Sequence, residues 1–173
     1  MDVFEAIKCR RSIRQFTDEP VAKEELEKLL DAARWAPSGG NQQRWRFLVV
    51  TSPSQKELIR KFAPGIFAMP AAFIVICADK EPDANPWKEA LYLADCSIAA
   101  QNIMLAACEM GLGTCVALSY AKVAISEILN LPENLEPMLV ITLGHPAEDP
   151  EPPPRLELSE IAFVEEYGKE WKS

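Results

Sequence analysis

Hydrophobic and polar positions alternate with two periods along this chain, and together they predict a succession of helices and strands. Asp2 followed by Glu5 has the form of a capping box, opening a short helix over Val3 to Cys9. A second helix is predicted from about Lys23 to Trp35, because Leu26, Leu29, Leu30 and Ala33 recur at helical spacing behind an acidic first turn. Ala36-Pro-Ser-Gly-Gly-Asn41 ends it in a loop of turn formers. Trp45 to Thr51 reads as a strand through its Phe-Leu-Val-Val run. Ser52 to Gln55 starts a third helix that stops near Ala63, Pro64 and Gly65. Ala72 to Ala78 is a continuous apolar run of strand length, expected to be buried on both faces.

The polar loop Glu81 to Trp87 leads into a long helix, from about Trp87 to Met110. Between Ala90 and Ala107 it is apolar nearly all round and rich in small residues. A helix of that kind is buried against other helices or against a partner subunit. Gly111 is its natural cap. Gly113 to Leu118 reads as a short strand, Val123 to Leu129 as a helix and Pro137 to Leu143 as another apolar strand. Strands interleaved with helices give an α/β layered class, although two helices precede the first strand and no clean βαβ alternation results.

From Pro146 the character changes. Pro150, Pro152, Pro153 and Pro154 stiffen an extended arm, which carries Arg155 and then the apolar positions of Leu156 to Phe163. That pattern predicts a docked arm rather than a free one. No internal repeat or second domain is visible, so residues 1–173 read as one unit with 146–173 as its C-terminal arm.

Composition narrows the function classes. The chain is 49% hydrophobic and 25% charged, ordinary for a globular protein, and its formal charge is -8. An acidic balance argues against coating nucleic acid, which needs a broad basic face. The longest apolar run, around Ala71 to Ala78, is too short to span a bilayer, and no basic segment precedes an apolar core at the N-terminus. The cytoplasm is the expected location. The five cysteines form no C-x-x-C pair, and most sit in apolar stretches, which predicts buried reduced thiols. The single histidine, His145, reads as a loop residue, and no metal site is expected.

Against that background Cys9-Arg-Arg-Ser-Ile-Arg-Gln-Phe16 stands out. Arg10, Arg11 and Arg14, with the hydroxyl of Ser12, form a cationic cluster in an acidic chain. Guanidinium forks suit a phosphate ester, to which they give charge-assisted, often bidentate, hydrogen bonds. A solvated surface patch is the bland alternative. Ala36 to Phe47 offers the Ser38 hydroxyl, backbone amides beside glycines, and the amides of Asn41, Gln42 and Gln43, which can donate and accept along the edge of a pyrimidine-like ring; it also reads as a plain connecting loop. Gly111-Leu-Gly-Thr-Cys-Val-Ala-Leu-Ser119 follows a helix and lacks the third glycine of a dinucleotide site. It is either a helix cap or a backbone track beside a flat ligand. Arg155 gains meaning only if the arm returns it to the Arg10–Arg14 cluster.

Taken in order, Arg10-Arg-Ser-Ile-Arg-x-Phe16, Ala36-Pro-Ser38, Asn41-x-Gln43-x-Trp45-x-Phe47, Leu105-Ala-Ala107, Gly111-Leu-Gly-Thr-Cys115 and Leu143-Gly-His-Pro146 resemble the nitroreductase family of flavin-dependent oxidoreductases, in a compact form. The resemblance runs over nearly the whole chain. It implies an α+β fold with a central, mainly antiparallel sheet flanked by helices, in an intertwined homodimer with FMN at two interface sites. By that likeness Arg10, Arg11, Ser12 and Arg14 would hold the ribityl phosphate and adjacent polar groups. Pro37, Ser38, Asn41 and Gln43 would lie along the flavin, across the interface from the Arg cluster. The backbone of Val116, Ala117, Leu118 and Ser119 would approach the isoalloxazine ring near N5 and O4. Arg155 matches the arginine of a C-terminal phosphate-binding pattern. The sequence departs from the family in having Arg44 where a proline follows the Gln, and Pro153 where a lysine precedes Arg155 by two residues.

The activity so implied moves hydride from NADH or NADPH, through flavin N5, to a nitroaromatic, quinone or similar acceptor by a ping-pong cycle. The cofactor carries the difficult chemistry in such enzymes, which fits a chain offering no obvious nucleophile, metal cage or acid–base dyad; no catalytic side chain is assigned. Other flavin reactions of the same family (reductive dehalogenation, flavin cleavage, enoyl or azole oxidoreduction), a non-catalytic FMN-binding protein and a nucleotide-phosphate binder are the competing readings.

Overall fold

Every side chain from Ala72 to Ala78 is 0–2% exposed, so the strand they form must have protein on both faces. The computed structural model describes residues 1–82 and 84–171. In chain order it contains α1 (Val3–Cys9), α2 (Lys23–Arg34), β1 (Trp45–Val50), α3 (Pro53–Lys61), β2 (Ala72–Asp79), α4 (Pro86–Glu109), β3 (Gly113–Ala117), α5 (Lys122–Ile128), β4 (Leu135–Gly144) and α6 (Leu158–Ile161). The predicted elements are all present, with ends shifted by a residue or two. The capping box at Asp2 and Glu5 forms as predicted.

The four strands lie in the order β1-β2-β4-β3, and each neighbouring pair is antiparallel. Interleaved helices therefore do not make this an α/β protein: it is α+β. The reason lies in the connections. α3 and α5 link adjacent antiparallel strands, and only α4 crosses over a strand, carrying the chain past β4 so that β2 and β3 run the same way on either side of it. Side chains alternate across the sheet. Ile74 and Ile76 of β2, with Ile141 and Leu143 of β4, meet Leu29 and Ala33 of α2 and Ala99, Ile103 and Ala107 of α4. Phe73, Val75 and Cys77, with Val140, meet Ile59 and Ala63 beneath α3 and Ile125 of α5. Register slips by one residue where Ile76 faces Leu139 and Cys77 faces Pro137, skipping Met138. Pro137 has no N–H to place in the ladder, and a bulge accommodates it.

α4 is the longest apolar element, 24 residues, and by length and composition alone it could cross a membrane. The run Ala71 to Ala78 is thus not the limiting one. Here one side of α4 lies on the sheet, while Leu93 and Ile98 are 44% and 40% exposed. Val3, Phe4 and Ile7 of α1 are exposed too, and the arm from Glu151 to Ile161 lies open throughout, with Leu156 at 65% and Leu158 at 69%. The prediction of mostly buried thiols is corrected. Cys77 and Cys96 are buried, and burial pushes both up to about 12. Cys9 is exposed, and Cys108 and Cys115 are half-buried, because they sit at the ends of α1 and α4 and on the sheet edge, where cover is thin.

Two predictions follow from this core. Phe73→Ala should cost about 3–5 kcal/mol in urea unfolding, the usual loss for a fully enclosed aromatic; a cost below 1 kcal/mol would contradict the double burial of β2. At the start of β4, burial pushes the Glu136 carboxyl up, but hydrogen bonds from Lys122 and Lys80 outweigh it and hold the group below its ordinary 4.5. A carboxylate with a depressed folded value stabilises above its unfolded value, and that contribution disappears as pH falls through the folded one. Glu136→Gln should therefore lose about 1 kcal/mol or less at neutral pH and show a shallower fall in melting temperature between neutral and acid pH.

Candidate functional site

The arginine-bearing link is tied down by its backbone. Arg10 still donates to Ala6 O at 3.0 Å as α1 ends. Ser12 then forms a parallel bridge with Thr114 of β3, and Ile13 N donates to Thr114 O at 2.9 Å. Further on, Phe16 bridges Pro146, Thr17 N donates to His145 O at 2.9 Å, and Ala147 N donates to Gln15 O at 3.0 Å. The link is thus held between the outer edge of β3 and the chain leaving β4. Ile13, 7% exposed, seats against Gly113, where a Cβ would come within 2.8 Å of it. In an extended chain, turning Ile13 inward turns its neighbours Ser12 and Arg14 outward.

Those outward groups, Arg10, Arg11, Ser12 and Arg14, line a cleft of about 370 Å³ with Pro150, Glu151, Pro153 and Arg155. The proline arm does bring Arg155 back to the cluster. The chain has eight arginines. Arg34, Arg44, Arg46 and Arg60 pair with carboxylates. Among the described residues, the four cleft arginines make no ion pair. Their guanidiniums reach only backbone carbonyls: Arg11 to Lys8 O at 2.7 Å, Arg14 to Ser12 O at 3.3 Å, Arg155 to Pro153 O at 3.1 Å. A guanidinium has five donors, so most remain free for a ligand. Pro153 contributes wall and no charge. Glu148 was not singled out from sequence, and nothing local marks it; its carboxylate accepts from the backbone N–H of Arg14 and Gln15, fixing the link while leaving the guanidiniums alone.

The edge of β3 runs beside the link, where Arg14 shares a small pocket with Cys115 and Ala117. Because Thr114 O points outward to Ile13, the two-residue period of an antiparallel ladder turns the N–H and C=O of Val116 outward as well. Ala117 points its side chain into the core, whereas Leu118 and Ser119 are exposed. A flat ring lying along this edge would meet backbone donors and acceptors. Tyr120 is engaged elsewhere: it donates to Pro137 O at 2.8 Å, and burial pushes its phenol up.

The loop after α2 is built differently. Gly40, Asn41 and Gln43 all adopt left-handed φ, at 59°, 54° and 52°. For Asn41 and Gln43 that conformation is costly and must be imposed by surroundings. Ser38 imposes part of it, its Oγ accepting from Gln43 N at 3.0 Å and its carbonyl from Asn41 N at 2.9 Å. Gly39 N donates to the two carboxylate oxygens of Asp95 at 3.2 and 3.3 Å. Asp95 was missed from sequence, although a lone carboxylate inside an apolar helix was the available signal. Arg44, which replaces the family proline, pairs with Glu81 at 2.5 Å and donates to Asp79 O at 3.0 Å. It is spent anchoring the loop to the end of β2.

The predicted site residues thus fall into two groups. Arg10, Arg11, Ser12, Arg14 and Arg155 come together, and of the Val116–Ser119 edge Ala117 shares a small pocket with Arg14. Pro37, Ser38, Asn41 and Gln43 precede β1, on the opposite edge of the sheet from β3. They also lie at the opposite end, since Trp45 pairs with Ala78 near the start of β4, whereas Thr114 pairs with Leu143 near its finish. Strand spacing and rise put the groups ~25 Å apart across the diagonal.

Comparison with known proteins identifies the family of the fold. The model of the nitroreductase family matches residues 7–72 and 60–145. A protein of Methanothermobacter thermautotrophicus, named as a candidate NADH dehydrogenase/NAD(P)H nitroreductase, is 40% identical over 87% of this chain and 80% of its own length. The NADPH-flavin oxidoreductase of Vibrio harveyi is 31% identical over 96% of this chain and 75% of its own. Among solved structures, a nitroreductase family protein of Clostridium difficile superposes with a TM-score of 0.83 at 32% identity, over 96% of this chain and 99% of that one. With the family model matching most of its length and these relatives alongside, the chain belongs to the nitroreductase family.

Proposed function

We propose that this protein is an FMN-dependent NAD(P)H oxidoreductase that reduces an oxidised small molecule, such as a nitroaromatic or quinone, and that it works as a homodimer. One observation carries the reading: the four arginines without carboxylate partners all line one cleft. Their chemistry fits the phosphate of FMN, a dianion for which guanidinium forks are the matched donors. Relatives named for NADPH-flavin and NAD(P)H reactions point the same way.

Arg10, Arg11, Arg14 and Arg155 would hold the phosphate, with the Ser12 hydroxyl beside them. The outward amide of Val116 would orient the ring along the edge of β3. Bound there, FMN supplies reversible hydride exchange between a nicotinamide and an oxidised acceptor. Donor and acceptor occupying one open face in turn gives the ping-pong order.

Pro37, Ser38, Asn41 and Gln43 reach the same cofactor only from a second protomer, given their distance across the sheet. A two-fold axis placing each loop over the other protomer's cleft makes two equivalent sites. Exposed Phe4, Leu93 and Ile98, and the arm residues Leu156, Leu158 and Ile161, offer the apolar surface for that contact. On this reading residues 146–173 belong to one folding unit with the rest and dock on the partner, and the protein acts in the cytoplasm.

Titration of flavin fluorescence should show Arg14→Ala binding FMN at least about ten-fold more weakly, the loss expected for one charge-assisted hydrogen bond. Arg34→Ala, at an ion-paired surface arginine, should bind as the wild type does. Equal affinities in both variants would remove the phosphate role. Sedimentation at low micromolar concentration should give a dimer; a monomer that still retains FMN would defeat the shared site. Anaerobic mixing with NADH and NADPH should bleach the bound flavin, and persistent yellow colour with both would leave a binding protein rather than an enzyme.

A further inference from the structure

Asp95 is the one charged side chain among the buried described residues, 7% exposed and set in the apolar stretch of α4 between Tyr92 and Ala99. It makes no ion pair among the described residues. Its two carboxylate oxygens share a single donor, the Gly39 N–H, at 3.2 and 3.3 Å. Holding a carboxylate out of water with so little compensation is unfavourable, and an apolar side chain in that place would pack without the desolvation cost. The group earns its place by what it touches. Gly39 is the head of the loop that carries Asn41 and Gln43 in left-handed conformations. Leu91, one turn earlier on α4, closes on the same residue: a Cβ on Gly39 would lie 2.7 Å from its Cδ2. The loop is thereby held against one face of α4 by a hydrogen bond and by a close contact.

We infer that Asp95 is a positioning residue for the cofactor-facing loop. Acting through the Gly39 amide, it sets where Ser38, Asn41 and Gln43 stand against a flavin bound in the cleft of the other protomer. The inference rests on the function proposed above. The position of the loop, rather than the stability of the fold, is what the buried charge secures.

The test compares Asp95→Ala, which removes the acceptor, with Asp95→Asn, which keeps an oxygen for the Gly39 N–H. Gly39→Pro removes the N–H donor itself beside an intact Asp95, and it decides the matter if Asp95→Ala does not fold. FMN affinity, visible circular dichroism of the bound flavin, and the separate values of kcat and KM are the readouts. Asp95→Ala and Gly39→Pro should each lose at least about ten-fold in FMN affinity and change the flavin dichroism, whereas Asp95→Asn should stay within about three-fold of wild type. Wild-type affinity and dichroism in Asp95→Ala or Gly39→Pro would overturn the inference, as would an Asp95→Asn variant as impaired as Asp95→Ala. A wild-type protein that takes up no FMN would instead overturn the proposed function.

Discussion

A guanidinium keeps its charge at any pH a protein survives, so bringing several together sets a demand that only water or an anion can meet. In this chain Arg10, Arg11, Arg14 and Arg155 are brought together without a carboxylate among the described residues pairing with any of them, although acidic residues outnumber basic ones by 26 to 18. Arginines elsewhere found partners readily: Arg44 took Glu81, Arg46 took Asp79 and Arg60 took Glu57. That contrast is what supports the binding cleft proposed above over a solvated patch. Glu148 reinforces it, since the carboxylate nearest the link is engaged by the backbone of Arg14 and Gln15.

That cleft exists because of the sheet. β3 is an edge strand, and the link from Arg10 to Phe16 lies along its free side, with Ile13 seated against Gly113. The same sheet imposes the site's division. An antiparallel order of β1-β2-β4-β3 sends the loop before β1 and the edge of β3 to opposite corners. No rearrangement of side chains closes a gap of ~25 Å across packed strands. On the function proposed above, a second copy of the chain unites the two groups, and the exposed apolar residues on α1, α4 and the arm are the surface that would meet it.

The loop before β1 is fixed by several separate contacts. Arg44 ties its end to Glu81 and to Asp79 O. Ser38 then locks Gln43, and Asp95 receives Gly39. Each contact constrains a backbone that Asn41 and Gln43 would not adopt unaided.

Local order was written into the sequence. Helical spacing of Leu26, Leu29 and Ala33, the Asp2–Glu5 cap, the doubly apolar run of β2 and the Gly111 stop all depend on near neighbours, and each marked its element to within a residue or two. The cationic link and the polar loop were equally plain as motifs. Periodicity and composition left three things to the tertiary structure, the first two of them implied only by the family resemblance. It made the sheet antiparallel, because strand direction depends on which strands become neighbours. It returned Arg155 to the cluster, because a stiff arm's destination is set by what its prolines lie against. And it showed that Asp95 and Glu148 hold backbone amides distant in the chain, since a hydrogen bond between residues 39 and 95, or 14 and 148, leaves no periodicity to be read.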